Sequence, residues 1–425
     1  MQLIKILAGA VAALILWTGL VGALALGGWW RTPLAPRGDA AAFFAAASAR
    51  INAGNRGNAA FVLLEKGEVA GAHYRSIGAP VSGDSLFQVA SLSKWVTAWG
   101  VMTLVEQGRL DLDAPVSTYL TRWRLPESPY NDQVTLRRIL SHTAGFDDGL
   151  GYGGFAPGEA VQPLEESLTR AADASPGAGG AVRAAFEPGT TWRYSGGGYA
   201  LLQLIIEEVT GEPFNAYMRR AVLTPLGMSG STFVLDEQTA PKVATIYDED
   251  GAEAIHYSFT AVAAASLYTS TEDLTRFLQA QTAGAEGAPA GRGVLRPETL
   301  AAMHAVEASQ FGFGIWGLGE VLYAPNRSGG FIVGHDGSNA PAINTAARVD
   351  PDTGDGVIVL VTGAPRLATT IGGDWVLWQA GEVDLFTVQS EARRWLMTLA
   401  VGALAIMAVA ALAFLFGRGR KARGA

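Results

Sequence analysis

The sequence contains no cysteine, and this absence excludes disulfide bonds and thiolate metal sites. Charged residues make up only 16% of the chain, the net charge is −8, and the basic residues form no central cluster. These properties argue against a nucleic-acid partner. The sequence also has no H-E-x-x-H metal motif and no G-x-S-x-G serine motif. Zinc peptidases of that type and α/β-hydrolases are therefore disfavoured.

Lysine is scarce, with five residues against 26 arginines. One lysine stands three residues after a serine in the run Ala90-Ser91-Leu92-Ser93-Lys94. Positions i and i+3 of a helix share a face, so Lys94 lies beside Ser91 whereas Ser93 points elsewhere. A lysine can lose its proton inside a protein and an arginine cannot. The pair is a candidate nucleophile and general base, although a single S-x-x-K also arises by chance in many chains.

Uncharged segments long enough to cross a bilayer as helices lie near both ends of the chain, over residues 6–30 and 395–417. The second is followed by a basic cluster, so the positive-inside rule places the C-terminus in the cytoplasm and the body of the chain outside. The first has two interpretations, a cleaved signal peptide or an uncleaved anchor. We favour the anchor, because its apolar run exceeds that of a signal peptide and ends in two tryptophans.

Local patterns predict an α+β fold. They indicate a strand pair around Lys66-Gly67, a helix from Ser91 to about Gln107, a largely helical middle and consecutive strands near the end. This order predicts an antiparallel sheet built from both ends of the domain, flanked by helices, with a mainly helical lobe inserted. The strands predicted near the end cover residues 311–321, 329–334, 342–349 and 356–361. The stretch 147–189, rich in Gly, Ala and Pro, predicts a long surface excursion and a candidate lid.

Further motifs follow Ser91 in a fixed order. They are Leu140-Ser-His-Thr-Ala-Gly145, Pro188-Gly-Thr-Thr-Trp-Arg-Tyr194-Ser195, Pro225-Leu-Gly-Met228, Ser270-Thr-Glu-Asp-Leu274 and Gly334-His335-Asp336-Gly337. With the Ser91 run, they make the sequence resemble the serine β-lactamase-related family, which includes class C β-lactamases, D-alanyl-D-alanine carboxypeptidases and related esterases. The resemblance covers roughly residues 40–380. It implies a β-lactamase/transpeptidase-like fold, with neither a metal nor a cofactor.

The resemblance also implies roles for individual residues. Ser91 would be the nucleophile that forms an acyl-enzyme, and Lys94 the base. Tyr194 would help Lys94 by passing the proton to the leaving group. The oxyanion hole would consist of the backbone N–H groups of Ser91 and Ser338. His335, Asp336 and Gly337 would form the substrate-binding strand.

Two positions depart from the family pattern. Gly196 stands where asparagine is common, so a side-chain amide for the substrate is missing. His335 replaces the lysine of many β-lactamases and is expected to offer a weaker, pH-dependent positive charge to a substrate carboxylate. Both departures make efficient β-lactam hydrolysis less expected. His142 has two interpretations, a catalytic base or a hydrogen-bonding residue within its loop, and we favour the second.

The predicted domains are a membrane anchor or signal segment at 1–36, a catalytic domain at 37–385, and a C-terminal transmembrane helix with a short basic tail at 386–425. We expect a serine hydrolase tethered to the cell membrane, with its catalytic domain on the extracytoplasmic side. Its substrates would be D-alanyl peptides, β-lactams or small esters. The alternative is a penicillin-binding sensor that acylates without efficient turnover. The sequence leaves the oligomeric state open.

Overall fold

A computed structural model describes residues 2–149, 151–284 and 287–422. Its helices are α1 (Gln2–Leu26), α2 (Ala40–Gly54), α3 (Ser93–Glu106), α4 (Leu136–Leu140), α5 (Leu164–Thr169), α6 (Gly196–Thr210), α7 (Phe214–Met218), α8 (Val262–Ala265), α9 (Thr271–Ala280), α10 (Pro297–Met303), α11 (Leu367–Ala380) and α12 (Leu385–Ala422). Its strands are β1 (Ala59–Glu65), β2 (Glu68–Arg75), β3 (Phe87–Gln88), β4 (Tyr268–Thr269), β5 (Ala308–Gln310), β6 (Phe313–Trp316), β7 (Val321–Pro325), β8 (Phe331–Asn339), β9 (Ile343–Val349) and β10 (Gly356–Val361).

Eight strands form one antiparallel sheet in the order β2-β1-β10-β9-β8-β7-β6-β5. Strands β1 and β2 come from the start of the domain and the other six from its end, with the helical residues inserted between them. The predicted α+β arrangement is confirmed. The β1–β2 hairpin turns at Lys66 and Gly67, which both have positive φ values, 52° and 81°. Two-residue turns of that kind match the twist of paired strands.

Helices cover both faces of the sheet, which explains why β1 is apolar along nearly its whole length. Phe61 and Leu63 face one core, where they pack with residues of α2 and α11. Val62 and Leu64 face the other core, which includes residues of α3, α6 and α9. Successive side chains of a strand point to opposite faces, so a strand covered on both sides needs apolar residues at every position.

Two expected elements differ in detail. The strand predicted over residues 311–321 is two strands, β6 and β7, joined by a tight turn at Gly319, whose φ is +95°. The stretch 147–189 is not a surface excursion, which corrects the sequence-based expectation. It contributes buried side chains to the core, namely Asp148, Phe155, Leu164, Ser167, Leu168, Ala171, Val182 and Ala184. The many glycines and prolines of this stretch are typical of a surface loop, although its apolar side chains pack into the core.

Helices α1 and α12 pack against each other as an antiparallel pair. The Trp17 indole N–H donates to the Leu399 carbonyl at 3.3 Å, and the Val383 N–H donates to the Leu26 carbonyl at 3.3 Å. Gly402 permits this approach, because a Cβ there would lie 2.1 Å from the Trp17 ring. Both helices are long and apolar enough to cross a membrane, by length and composition alone. The antiparallel packing puts the start of α1 and the end of α12 on the same side.

A buried ion pair ties the start of α12 to the middle of the sheet. The Arg348 guanidinium on β9 contacts the Asp336 carboxylate on β8 at 2.9 Å and also contacts Asp384. Arg348 and Asp384 are both fully buried. The other oxygen of Asp384 accepts from the Thr387 N–H at 2.7 Å, within the first turn of α12. The strand that carries the motif His335-Asp336-Gly337 is thereby fixed to the helix that leads away from the domain.

Replacing Arg348 by methionine leaves the buried carboxylate of Asp384 and the largely shielded carboxylate of Asp336 without their guanidinium. Breaking a buried pair in this way costs about 3–5 kcal/mol, so we expect a clear fall in the midpoint of thermal unfolding, measured on the full-length protein in detergent. The control is Arg327→Met, since Arg327 lies exposed in the β7–β8 turn. Equal midpoints for Arg348→Met and the unaltered protein would show that the ion pair does not stabilise the fold.

Candidate active site

Ser91 lies in a single turn of 3-10 helix, Ala90–Leu92, directly before α3. Ala90 has a φ of +49°, a left-handed conformation that costs an L-residue roughly 1–2 kcal/mol. This turn leaves Ser91 at the surface of a cleft, while the flanking residues are buried. The Ser93 hydroxyl donates to the Ala90 carbonyl at 2.6 Å and accepts from the Leu267 N–H at 2.9 Å. Ser93 therefore points away from the cleft, as the helical spacing predicts.

The Lys94 amine lies 3.2 Å from the Ser91 hydroxyl oxygen. It also donates to the Ala264 carbonyl of α8 at 2.8 Å, and the residue is only 2% exposed. Burial lowers the pKa of Lys94 to about 7, although the Asp148 carboxylate opposes the change. A large fraction of the amine is thus neutral near pH 7 and able to accept a proton from Ser91.

Tyr194 completes the cluster. Burial raises the pKa of Tyr194 above its usual value, and a hydrogen bond with Ser91 works in the opposite direction. The Lys94 amine lies 5.0 Å from the centre of the Tyr194 ring. The structure therefore brings together Ser91, Lys94 and Tyr194, the three residues for which the sequence predicts catalytic roles.

His142 lies behind Tyr194, with 4.4 Å between the two ring centres. Its Nδ1 atom accepts a hydrogen bond from the Ser195 N–H at 3.1 Å. Burial, the charge on Lys94 and the neighbouring His335 lower the pKa of His142 well below its ordinary value. His142 is thus a neutral ring that supports Tyr194, which agrees with the favoured interpretation of a hydrogen-bonding residue.

His335 lies on β8 and is 3% exposed. Its Nδ1–H donates to the Asp336 carbonyl at 2.6 Å. Burial and the nearby Lys94 charge lower the pKa of His335 to about 3, against a small opposing effect of that hydrogen bond. The ring is therefore neutral at physiological pH. The prediction that His335 carries a pH-dependent positive charge was wrong. The sequence does not reveal how deeply the ring is buried beside a cationic amine.

Asp336 and Gly337, the next two residues of β8, are held in place by different contacts. The Asp336 carboxylate pairs with Arg348 and accepts from the Tyr323 hydroxyl at 2.7 Å. Gly337 allows β8 to approach the turn before Ser91, since a Cβ there would lie 2.1 Å from the Val89 carbonyl oxygen. The Thr345 hydroxyl donates to the same oxygen at 2.9 Å, which fixes the contact.

The edge of β8 is open where it reaches the cleft. Strand β7 pairs with β8 only as far as Gly334, while β8 continues to Asn339 alongside β9. Ser91 and Ser338 both line the cleft. From the family resemblance we expect their backbone N–H groups to form the oxyanion hole. The open edge offers backbone donors and acceptors to an extended substrate.

Two residues in the stretch 147–189 contribute to the site, and the sequence patterns did not predict them. Asp148 is 5% exposed, accepts from the Gly197 N–H at 2.6 Å and has its pKa raised to about 6 by burial. The Tyr152 ring occupies the space beside Gly196, where a Cβ would lie 3.0 Å from a ring carbon. Tyr152 thus takes the space that an asparagine at position 196 would need. The large apolar residues Phe146 and Phe155 lie on either side of Asp148 and Tyr152 in the sequence. They were the available signal that this segment is buried.

The cleft has a volume of about 820 Å³. It is lined by Arg31, Ser91, Trp192, Tyr194, Trp316, His335, Asp336, Gly337, Ser338, Asn344, Pro365, Arg366, Thr369, Thr370, Phe386, Thr387, Gln389, Ser390 and Glu391. Arg366 is exposed and is the first residue before α11, so its guanidinium is available to an anionic group in the cleft. Among the described residues, no group of three His, Cys, Asp or Glu side chains is placed to hold a metal ion.

Comparisons with known proteins agree with this geometry. Penicillin-binding protein 4 of Amycolatopsis lactamdurans is 29% identical over 351 residues, covering 76% of this chain and 84% of that protein. Esterase EstB of Burkholderia gladioli is 34% identical over 176 residues, covering 38% and 42%. The octameric penicillin-binding protein homologue from Pyrococcus abyssi superposes with a TM-score of 0.64 at 25% identity, covering 80% and 76%. The chain spans about half or less of the length of several curated relatives.

A match to the Beta-lactamase family extends over residues 41–382. It contains the sheet, the helical lobe and all the cleft residues between Ser91 and Thr370. The family comprises serine hydrolases, and this chain's relatives and structural neighbours include a penicillin-binding protein, an esterase and a β-lactamase/D-alanine carboxypeptidase. From the motif order, the fold and this match, we conclude that the chain belongs to the Beta-lactamase family.

Proposed function

We propose that the protein is a membrane-tethered serine hydrolase that forms an acyl-enzyme on Ser91. The observation that carries this proposal is the 3.2 Å contact between the Lys94 amine and the Ser91 hydroxyl, together with the lowering of the Lys94 pKa to about 7. A nucleophilic serine needs a base within hydrogen-bond reach that is neutral at working pH. Lys94 meets both conditions.

The chemical steps follow from this arrangement. Neutral Lys94 takes the Ser91 proton while the serine oxygen attacks the substrate carbonyl carbon. The N–H groups of Ser91 and Ser338 stabilise the resulting oxyanion, and each such donor typically contributes about 2.7–4 kcal/mol. The carbon–leaving-group bond then breaks, and the proton held by Lys94 passes through Tyr194 to the leaving group. Water attacks the acyl-enzyme by the reverse proton route and restores Ser91.

Tyr194 acts in these steps as a proton relay and not as a phenolate. Its raised pKa keeps the hydroxyl protonated, so it can donate to the leaving group only while it receives a proton from Lys94. The ring is held by His142 and Trp316, whose ring centres lie 4.4 Å and 5.8 Å away. That packing restricts the hydroxyl to the space beside Ser91.

Substrate preference follows from the residues around the nucleophile. Tyr152 occupies the space where a family asparagine would bind a substrate amide, and His335 is neutral. Arg366 is the exposed cation of the cleft and can pair with a substrate carboxylate. The missing amide donor and the neutral ring weaken the binding of amide substrates, β-lactams included, so these features favour small esters, while binding of a D-alanyl peptide would depend on Arg366. The relatives include both a penicillin-binding protein and an esterase, which supports the same range.

The proposed location is the extracytoplasmic face of the cell membrane. Both apolar helices meet the length requirement for spanning. In their antiparallel packing, Lys5 near the start of α1 and Arg418, Arg420 and Lys421 near the end of α12 belong to the same end of the pair. Positive residues of this kind concentrate on the cytoplasmic side. The hydrolase domain, at the opposite end of the pair, would then lie outside.

Labelling with a fluorophosphonate probe tests the nucleophile. The full-length protein is expected to be labelled, and Ser91→Ala is expected to lose the label because, in the described residues, Ser91 is the serine whose hydroxyl contacts the Lys94 amine. Ser390→Ala is a matched control, since Ser390 also lines the cleft and is exposed. Labelling that persists in Ser91→Ala would remove Ser91 from this role.

Turnover of p-nitrophenyl acetate separates the enzyme from a sensor. An enzyme would release p-nitrophenol over many turnovers, whereas a sensor would give a single stoichiometric burst.

The dependence of kcat/KM on pH tests the base. We expect kcat/KM to rise with pH through about 7 and then level off, because only neutral Lys94 accepts the proton. Lys94→Arg stays charged and should lose roughly 10²–10⁴-fold. In Asp148→Asn the inflection should move to lower pH, since the Asp148 charge raises the pKa of Lys94. A profile without an inflection between pH 5.5 and 9 would contradict the assignment of Lys94.

A further inference from the structure

One wall of the cleft is built by the first turns of α12 and by a residue of the segment that follows α1. Arg31, which follows α1, lines the same cleft as Ser91. So do five residues from the first two turns of α12: Phe386, Thr387, Gln389, Ser390 and Glu391. The nucleophile and the start of the candidate membrane helix therefore share one cavity.

This wall is held firmly to the domain. The Arg31 guanidinium contacts Glu391 at 3.5 Å and the Asp374 carboxylate of α11 at 3.1 Å. Asp384, at the beginning of α12, is paired with buried Arg348. Because these contacts are largely shielded from water, the first turns of α12 belong to the domain and do not form a flexible linker.

The distance from the cleft to the apolar part of α12 is short. The helix is continuous from Leu385 to Ala422, and Leu396 lies five residues beyond Glu391, a rise of about 7.5 Å. A cavity of about 820 Å³ is on the order of 12 Å across, a typical size for a ligand site. The cavity width and the helical rise together put Ser91 within roughly 20 Å of Leu396, where the apolar span starts. A site on the far side of a domain of this size would be about 40 Å or more away.

We propose that the natural substrate is an acyl donor anchored in the lipid bilayer by a short polar linker. This inference rests on the proposed function and specifies its substrate class. The polar side chains of Thr387, Gln389 and Ser390 line the route that such a linker would follow from the bilayer to Ser91. The acyl part stays joined to its lipid anchor, while the leaving group takes the proton from Lys94 and departs into water. Water then releases the anchored acid and regenerates Ser91.

The test uses the full-length protein in phosphatidylcholine–phosphatidylglycerol vesicles. Three D-alanyl thioester substrates carry the same reacting group: one soluble with an acetyl cap, and two joined to a diacylglycerol anchor by Gly/Ser linkers of about eight and about 24 residues. Eight extended residues reach at most about 29 Å. Thiol release is followed with a chromogenic disulfide, to which the protein adds no background because it has no cysteine.

We expect the short-linker substrate to be hydrolysed at least as fast as the long-linker one, since a longer flexible linker lowers the effective concentration. Hydrolysis of the long-linker substrate alone would overturn the proposal, because it would place the site beyond the reach of the short linker. Turnover of only the soluble substrate would overturn the proposal as well and leave the serine hydrolase assignment intact. Failure of all three substrates, together with loss of probe labelling, would overturn the proposed function itself.

A variant in the helical wall gives a second readout. Gln389→Trp places a bulky ring on the route from the bilayer, and we expect the ratio of short-linker to soluble-substrate rates to fall about tenfold. Glu382→Trp is the control, because Glu382 is exposed just before α12 and lies outside the cleft lining. An unchanged ratio in Gln389→Trp would show that substrates do not pass along this wall.

Discussion

The removal of the Lys94 amine from water is the condition on which the site depends. An ammonium group in water keeps its proton far above neutral pH and cannot serve as a base for a serine hydroxyl. Packing between α3, α8 and the Tyr194 ring leaves Lys94 2% exposed and brings its pKa to about 7. The Asp148 carboxylate moderates this effect, so the amine can both take and return a proton near neutrality.

The sheet supplies the second requirement, which is a fixed strand beside Ser91, the proposed nucleophile. Gly337 lets β8 lie against the Val89 carbonyl, two residues before Ser91, and Thr345 holds that carbonyl by a hydrogen bond. The buried pair between Arg348 and Asp336 then fixes the same strand from its other side. The helices that flank the domain are connected to this strand, because Arg348 also holds Asp384 at the start of α12.

Local patterns predicted much of the fold and part of the site. The spacing of Ser91 and Lys94 and the turn at Lys66-Gly67 depend on neighbours within a few residues, so the sequence reveals them directly. The charge of His335 and the contribution of Asp148 depend on distant segments. Burial by these long-range contacts has no local signature. Residues from the first two turns of α12 line the cleft together with Ser91, and the sequence could not show this for the same reason.

The most direct measurement is the titration of Lys94 itself by NMR of protein labelled with ¹³C at the lysine ε-carbon. Only five lysines are present, and the Lys94 resonance is the one missing from the spectrum of Lys94→Arg. We expect that resonance to move with an apparent pKa of about 7. If it keeps the chemical shift of a charged amine up to pH 9, Lys94 is not the base and the proposed acyl transfer fails.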